Sequence, residues 1–520
     1  MRRDRVRRGV RRLGAGLMVA SWLLAGAGAQ AEGALRAGFG EVDITPALPD
    51  RWRDVDGDAT FDADVDEWTD GNGNGRFDPV YLAGFHHGRV AASVHDPLKA
   101  VAVVFDDGER RIGIVTADVV GLSHGFADAV RAATLGPLGL DYVLVHATHN
   151  HQGPDTQGLW GPTVFRTGRD SSYATFLRDR MAGALRMAVA DLAPARLEIA
   201  EIRGRDRRIG TVDTRPPRVI DDGIRAAIVR DPGGAVLGTL VNFGNHVELL
   251  WDRNLALTAD VAGYARRGIS QGLDYDGDLF RAGLGGTTLW LTGNIGGLIT
   301  TSPEVAVRDV RDDVAYAAPS FAKARAQGYA IAEAVLDTAA AGSFADAGPV
   351  RLAIHRRDIR VPIANLPLVL ASSLGVLDRQ WSLGWGATTE SEVALLEVGP
   401  LWIACIPGEM YPEIAVGGIV RAPGADLDVA PVEVPPLRPE MRGRVDMMVD
   451  LANDALGYLI PRSEWDREPP WLYGAEEESY GEIVSAGPDT AAIVHGALLD
   501  LLREAAPNHV QPQRGAAHPR

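Results

Sequence analysis

The stretch that decides the reading is "DYVLVHATHNHQGPDT", residues 141–156. An apolar run, Tyr142–Val145, reads as a short buried strand. It stops at His149-Asn-His151, and a Gly-Pro turn follows at once. The chain has only 12 histidines in 520 residues, so two of them at one strand end ask for a reason. His-x-His on an extended segment places both imidazoles on one face, because side chains alternate with period 2. Two or three histidines with one carboxylate and an open position are the ligand set of catalytic zinc.

Working outward, two more strand pairs end the same way. "IRAAIVRDPGGAVLGTLVNFGNH" is a pair of apolar runs across Pro-Gly-Gly and stops at His246. "VALLEVGPLWIACIPGEMYP" is another pair and stops at Glu409. "KAVAVVFDDGERRIGIVTADVV" is a hairpin around Asp-Gly, and "TTLWLTGNIGG" is a strand running into glycines. Helical spacing marks "YATFLRDRMAGALRMAVADL", "ADVAGYARRGIS", "FAKARAQGYAIAEAVLDTAAA" and "DTAAIVHGALLDLLREA". No repeat of fixed period is visible. The fold expected is α/β in the mixed α+β sense: multilayer mixed β-sheets flanked by helices. Residues at strand ends in such folds line the ligand crevice.

Composition sets the limits. With 46% hydrophobic and 23% charged residues, the chain can bury a sizeable core. Residues 1–31 carry seven arginines, an apolar stretch and a small-residue A-x-A site, the layout of an export signal cleaved after Ala31. Arg11-Arg12 leaves the twin-arginine route open beside the general one. The expected location is therefore the periplasm or the medium. Removing the signal takes away a net +6 and leaves the mature chain at −23. Such a balance, with Lys99 and Lys323 the only lysines, excludes a nucleic-acid binder, which needs clustered cations. The single Cys405 excludes internal disulfides and thiolate metal clusters, and it reads as a core residue. Residues 32–505 form the expected catalytic domain, with a proline-rich insert at 421–443 and a disordered tail at 506–520. No protein partner is expected.

"GFGEVDITP", "ATHNHQGPDT", "LVNFGNHVELL" followed by "TADVAGYARR", "IPGEMYPEIA" and "NDALGYLIP" together resemble the neutral/alkaline ceramidase family. They occur in that family's order and span most of residues 36–490. The resemblance implies a hydrolase of an amide (or ester) bond in an N-acyl lipid or related substrate, working through a zinc-activated water, with peripheral contact to membrane lipid. It implies zinc ligands His149, His246, Glu409 and Tyr458, with Tyr473 and Tyr480 near the last. His151 becomes the base or oxyanion support, and Arg207, next to Arg208, an assisting cation. The chain departs from the pattern at N-x-G-D-x-S-P. Asn294 and Gly296 match, but Gly297 stands for the Asp and Ile299 for the Ser, with Thr300, Thr301 and Ser302 close by. The family's C-terminal β-sandwich domain is also not expected here. The departures point to a diverged ceramidase-like hydrolase.

Two further readings stay open. One is a binuclear hydrolase with both His149 and His151 as ligands and Asp260 or Asp118 bridging. The other is a calcium-stabilised binding protein on a catalytically decayed scaffold. The second metal arises from "DVDGDATFDADVDEWTDGNGNGRFDP", residues 54–79. Asp70, Asn72, Asn74, Gly75 and Asp78 match the start of a calcium loop, with a bidentate ligand to come from Asp62, Asp64 or Asp66. The apolar segment 366–384 reads equally as an acyl groove and as core packing.

Overall fold

The computed structural model describes residues 35–203, 209–297, 299–383 and 386–505. The expected signal, Arg207 and the expected tail lie outside them.

Three five-stranded sheets carry the molecule. The first contains β1 (Arg36–Asp43), β2 (Lys99–Asp106), β3 (Arg111–Ala117), β4 (Tyr142–Ala147) and β5 (Ala193–Pro194). The second contains β6 (Arg196–Ile202), β7 (Ile224–Arg230), β8 (Val236–Phe243), β9 (Thr287–Thr292) and β10 (Ala345–Asp346). The third contains β11 (Leu352–Pro362), β12 (Ser382–Leu383), β13 (Ala387–Val398), β14 (Leu401–Cys405) and, past a loop holding β15 (Glu409–Met410), β16 (Val445–Val449). A last short strand, β17 (Tyr458–Leu459), runs parallel to β15.

All three sheets follow one plan. Three strands form an antiparallel meander: β1-β2-β3, β6-β7-β8 and β11-β13-β14. A crossover then returns the chain parallel to the third strand, as β4, β9 and β16. Helices sit in matching places. In the first unit these are α1 (His124–Leu138) and α2 (Ser171–Ala190), in the second α3 (Asp260–Ser270) and α4 (Phe321–Ala340). Between β11 and β12 lies α5 (Leu366–Ser373); the third unit crosses over through α6 (Pro412–Val416) and closes with α7 (Thr490–Ala505). The repetition is one of pairing and order. It leaves no sequence period because each unit only has to alternate apolar residues, and many sequences satisfy that.

The alternation sorts the core. In β2, Val101, Val103 and Phe105 face a centre shared by all three sheets, while Ala100, Ala102 and Val104 face α1 and α2. In β14, Leu401, Ile403 and Cys405 face that centre, and Trp402 and Ala404 face the side of α7. In β8, Leu240 points inward and Val241 and Phe243 meet α3 and α4. Each buried valine, leucine, isoleucine or phenylalanine among them contributes about 1.5–3 kcal/mol by leaving water.

The hairpins, the four helices read from spacing and the buried cysteine occur where the sequence places them. Helix α1 was not anticipated. Its signals are local: the Ser123 side chain accepts the Phe126 N–H, and Gly139 closes the helix at φ +61. Among the described residues, no helix is long and apolar enough to cross a membrane.

Candidate metal centre

The third strand of the second and third units, and the fourth strand of the first, end at the same end of the assembly. The chain leaves β4 at Ala147 and reaches His149 and His151; it leaves β8 at Phe243 and reaches His246; it leaves β14 at Cys405 and reaches Glu409. Each sheet thus delivers candidate ligands to one point. The three imidazoles offer nitrogens that all lie within 4.8 Å of one another. The His149 and His246 ring centres are 4.7 Å apart.

The two histidines of the opening motif do not meet there by strand alternation. The strand has ended, and His149 sits at φ +63, a left-handed conformation costly for a residue with a Cβ. A sharp backbone turn, not pleating, turns both rings to one side.

Backbone contacts fix the tautomers. His149 Nδ1 donates to the Val120 carbonyl at 2.8 Å, and His246 Nδ1 donates to the Ile299 carbonyl at 2.8 Å. A carbonyl only accepts, so each Nε2 presents a lone pair to the shared point. Glu409 Oε2 lies 3.5 Å from His149 Nε2 and 3.3 Å from His246 Nε2. Buried as it is, it has no donor in hydrogen-bond geometry. Lone pairs facing an unsatisfied carboxylate oxygen are poor partners for each other and good ones for a cation. The residues present therefore fit a divalent ion.

Tyr458 completes the group. It stands directly opposite Glu409 in the β15–β17 pair, and its hydroxyl is 3.3 Å from His246 Nε2. Tyr480 packs on it at 6.2 Å between ring centres, whereas Tyr473 is exposed and does not line the cavity. Asp450 Oδ2 accepts the N–H groups of Ile295 and Met410 and so ties the Asn294–Gly297 loop to β15. Gly296 permits that contact, because a Cβ there would fall 2.4 Å from Tyr411 N.

Electrostatics favour ligands over charges. Burial drives His149 down to about 4 and His151 well below the ordinary imidazole value, so both rings are neutral. For His246 burial is outweighed by the carboxylates Glu248 and Glu409, which raise it. Glu409 is also buried, yet His149, His246 and Tyr458 hold it below the usual carboxylate range.

Sequence reasoning overlooked three groups here. Arg89 is fully buried, and its Nη2 donates to the His151 carbonyl at 2.8 Å and to Gln152 Oε1 at 3.0 Å. Phe85 meets the His151 ring edge-on at 5.4 Å. Glu248 lies 3.2 Å from His151 Nδ1. Only the last carried a signal, as an acid two residues after His246. The carboxylates weighed as bridges are engaged elsewhere: Asp118 forms a two-pronged pair with Arg266 at 2.7 and 2.6 Å, and Asp260 accepts the N–H groups of Leu250 and Val261.

A cavity of about 100 Å³ opens above the cluster, reached by His149, His151, Glu409 and Tyr458. Its walls are Leu159, Trp160, Ile363, Leu377, Trp381 and Leu456. The segment 366–384 supplies part of that wall through Leu368, Leu377 and Trp381.

The acidic loop is built differently. Asp70 accepts the N–H groups of Gly73, Asn74 and Gly75 at 2.6, 3.2 and 2.7 Å. The Asn72 and Asn74 amides donate to Asp78 Oδ2, and Asp50 accepts the N–H groups of Gly71 and Asp78. Asp66 turns away to the N–H groups of Val55 and Asp62. Asp54, Asp56 and Asp58 bring their carboxylates within 4.8 Å of one another.

No protein-family model matches the chain, and no curated protein matches its sequence. Solved structures do match. The crystal structure of neutral ceramidase from Pseudomonas aeruginosa superposes with a TM-score of 0.63 at 16% identity, covering 94% of this chain and 77% of that one. A structure described as "Ceramidase complexed with C2" gives 0.64 at 16% identity with the same coverage. The mixed α+β architecture of this chain is the neutral-ceramidase fold.

Proposed function

We propose that the protein is an exported, zinc-dependent hydrolase that cleaves an amide or ester bond of an N-acyl lipid or a related acylated substrate. The observation that carries this reading is the meeting of His149 Nε2, His246 Nε2 and the unsatisfied Glu409 Oε2, with His149 and Glu409 opening onto a cavity walled largely by apolar residues. His149, His246, Glu409 and Tyr458 would hold the ion. When bound there, the ion supplies Lewis acidity toward a carbonyl oxygen and a lowered pKa for water. The chain's own groups do the rest. His151, neutral and clamped by Arg89 and Phe85, accepts a proton at Nε2. The Tyr458 hydroxyl donates toward the reacting oxygen, and the apolar walls take the acyl chain and exclude water.

A lipid substrate is supported by the rim as well as the walls. Leu366, Leu370 and Leu374 of α5 and its end are 73%, 55% and 59% exposed, beside Leu368 and Leu377 in the cavity. Phe165, on the loop after Trp160, is 70% exposed. Peripheral contact with a lipid surface would cover these residues. The loop at residues 54–79 is assigned to structural calcium. The test is metal analysis of the purified protein, followed by hydrolysis of short-chain N-acyl amides and p-nitrophenyl esters with and without chelator. Chelator-sensitive cleavage supports the proposal. Zinc without any cleavage favours a binding protein on this scaffold instead.

A further inference from the structure

The loop Asn294–Gly297 follows β9 and carries no carboxylate of its own. At Gly297 φ is +72, a conformation that a Cβ makes costly, and a side chain there would start 3.3 Å from Asp213 Oδ1. A carboxylate nevertheless reaches this loop, from Asp450 just past the end of β16. Asp450 is fully buried. Its Oδ2 accepts the Ile295 N–H at 3.0 Å and the Met410 N–H at 2.9 Å. Its own N–H donates to the Thr292 carbonyl at 3.1 Å.

These contacts run on to two of the candidate ligands. On one side, Met410 is the residue after Glu409 in β15. On the other, the Ile295 carbonyl accepts the Ile299 N–H at 3.2 Å. The Ile299 carbonyl then accepts both the backbone N–H and the Nδ1–H of His246, at 2.9 and 2.8 Å. The Gly296 N–H closes the loop on β15 a second time, donating to the Met410 carbonyl at 3.0 Å. Glu409 follows β14 and His246 follows β8, so neither sheet by itself sets their spacing. Asp450 Oδ2 bonds to both branches. Metal–ligand distances tolerate only about 0.2 Å, so a slip between the branches is felt at the site.

We propose that Asp450 is a positioning residue whose Oδ2 sets the spacing of Glu409 and His246 by bridging the Ile295 and Met410 N–H groups. The inference deepens the metal reading, on which its consequence for zinc rests; the bridge itself does not rest on it. Asp450 acts through backbone groups and supplies no atom to the ion. The carboxylate that Gly297 cannot offer arrives from another sheet and serves geometry rather than chemistry.

The test is the zinc affinity of metal-depleted full-length protein, by competition with a chromophoric chelator. The visible spectrum of the cobalt(II)-loaded protein reports ligand geometry beside it. Asp450→Val removes the acceptor. It is expected to weaken zinc about 10–100-fold, to shift the cobalt bands, and to speed amide exchange at Ile295 and Met410 in the metal-free protein. Asp450→Asn keeps an oxygen for the two N–H groups and is expected to stay near wild type in all three. Where Asp450→Val does not fold, Asp450→Ser, whose hydroxyl is too short to reach both N–H groups, carries the same prediction. Asp118→Ala is the destabilised control and should keep the wild-type zinc affinity. A folded Asp450→Val or Asp450→Ser protein with wild-type affinity and cobalt spectrum overturns the inference, and so does an Asp450→Asn protein as weak as Asp450→Val. Wild type that takes up neither metal removes the metal reading, and amide exchange then decides the bridge: unchanged exchange in Asp450→Val overturns it.

Discussion

The cluster under the cavity and the acidic loop at residues 54–79 draw on the same ligand chemistry by opposite routes. The cluster takes side chains from four distant segments, buries them and leaves Glu409 Oε2 without a donor. The loop takes its oxygens from one contiguous, exposed stretch, and its own backbone already satisfies them, with three N–H groups on Asp70 alone. In the loop a cation competes with hydrogen bonds and water that are in place. In the cluster it meets a buried carboxylate oxygen, Glu409 Oε2, that nothing else satisfies, in a low-dielectric setting that strengthens the attraction. A need for metal is therefore written in the unsatisfied site more than in the site with more acids.

The largest effect should come from His246→Ala. Zinc content is expected to fall from one per chain to near zero, and chelator-sensitive hydrolysis by roughly a thousandfold, as expected when several kcal/mol of charge stabilisation are lost. Asp118→Ala separates ligand from scaffold. It leaves the Arg266 guanidinium buried without its partner, so denaturant unfolding should show a loss of about 3–5 kcal/mol with zinc content retained. Loss of zinc in a folded Asp118→Ala protein would restore the bridging role.

Acid should reach the cluster before the loop. His149, held down to about 4, stays neutral in the fold but takes a proton in the unfolded chain at about 6.5. Its contribution is thus complete above pH ~6.5 and is lost as pH falls toward 4, on the order of 3 kcal/mol for this ring. His146, driven to about 3 by burial, adds in the same direction, while the raised His246 opposes both. Denaturation of the metal-free protein at pH 7.5 and 5 should show the net loss. Asp70, lowered mainly by the Gly75 N–H, loses stability in the same direction as His149 but in a lower pH window. Its support is present above the ordinary aspartate value and lost only below it, so protease protection of the loop should be equal at both pH values. The smallest effect is expected from Asp70→Asn: in chelator it should leave the unfolding midpoint nearly unchanged, and the shift that added calcium gives the wild type should vanish.

Legibility in the sequence followed the range of each interaction. Hairpins and amphipathic helices follow local rules, and the alternation in "KAVAVVFDD" places Val101, Val103 and Phe105 correctly by itself. The motif residues His149, His246 and Glu409 were visible because each ends an apolar run. The left-handed turn at His149 was not, since a strand-end His-x-His reads equally well as extended. Arg89 and Phe85 have no motif; they act only because a loop 62 residues upstream of His151 folds over its backbone. Glu248 sat in plain view at His246-Val-Glu, but its neighbours, Thr300 and the His151 ring, come from other segments. The shared plan of the three sheets was hidden for the same reason, being a pattern of pairing.

Metal stoichiometry tests the central claim most directly. Protein purified without chelator and dialysed exhaustively should carry one zinc per chain by elemental analysis, and none in the His149→Ala/His246→Ala double variant. Wild-type protein that takes up no zinc when supplied with it, or a folded double variant that still holds one per chain, would contradict the account.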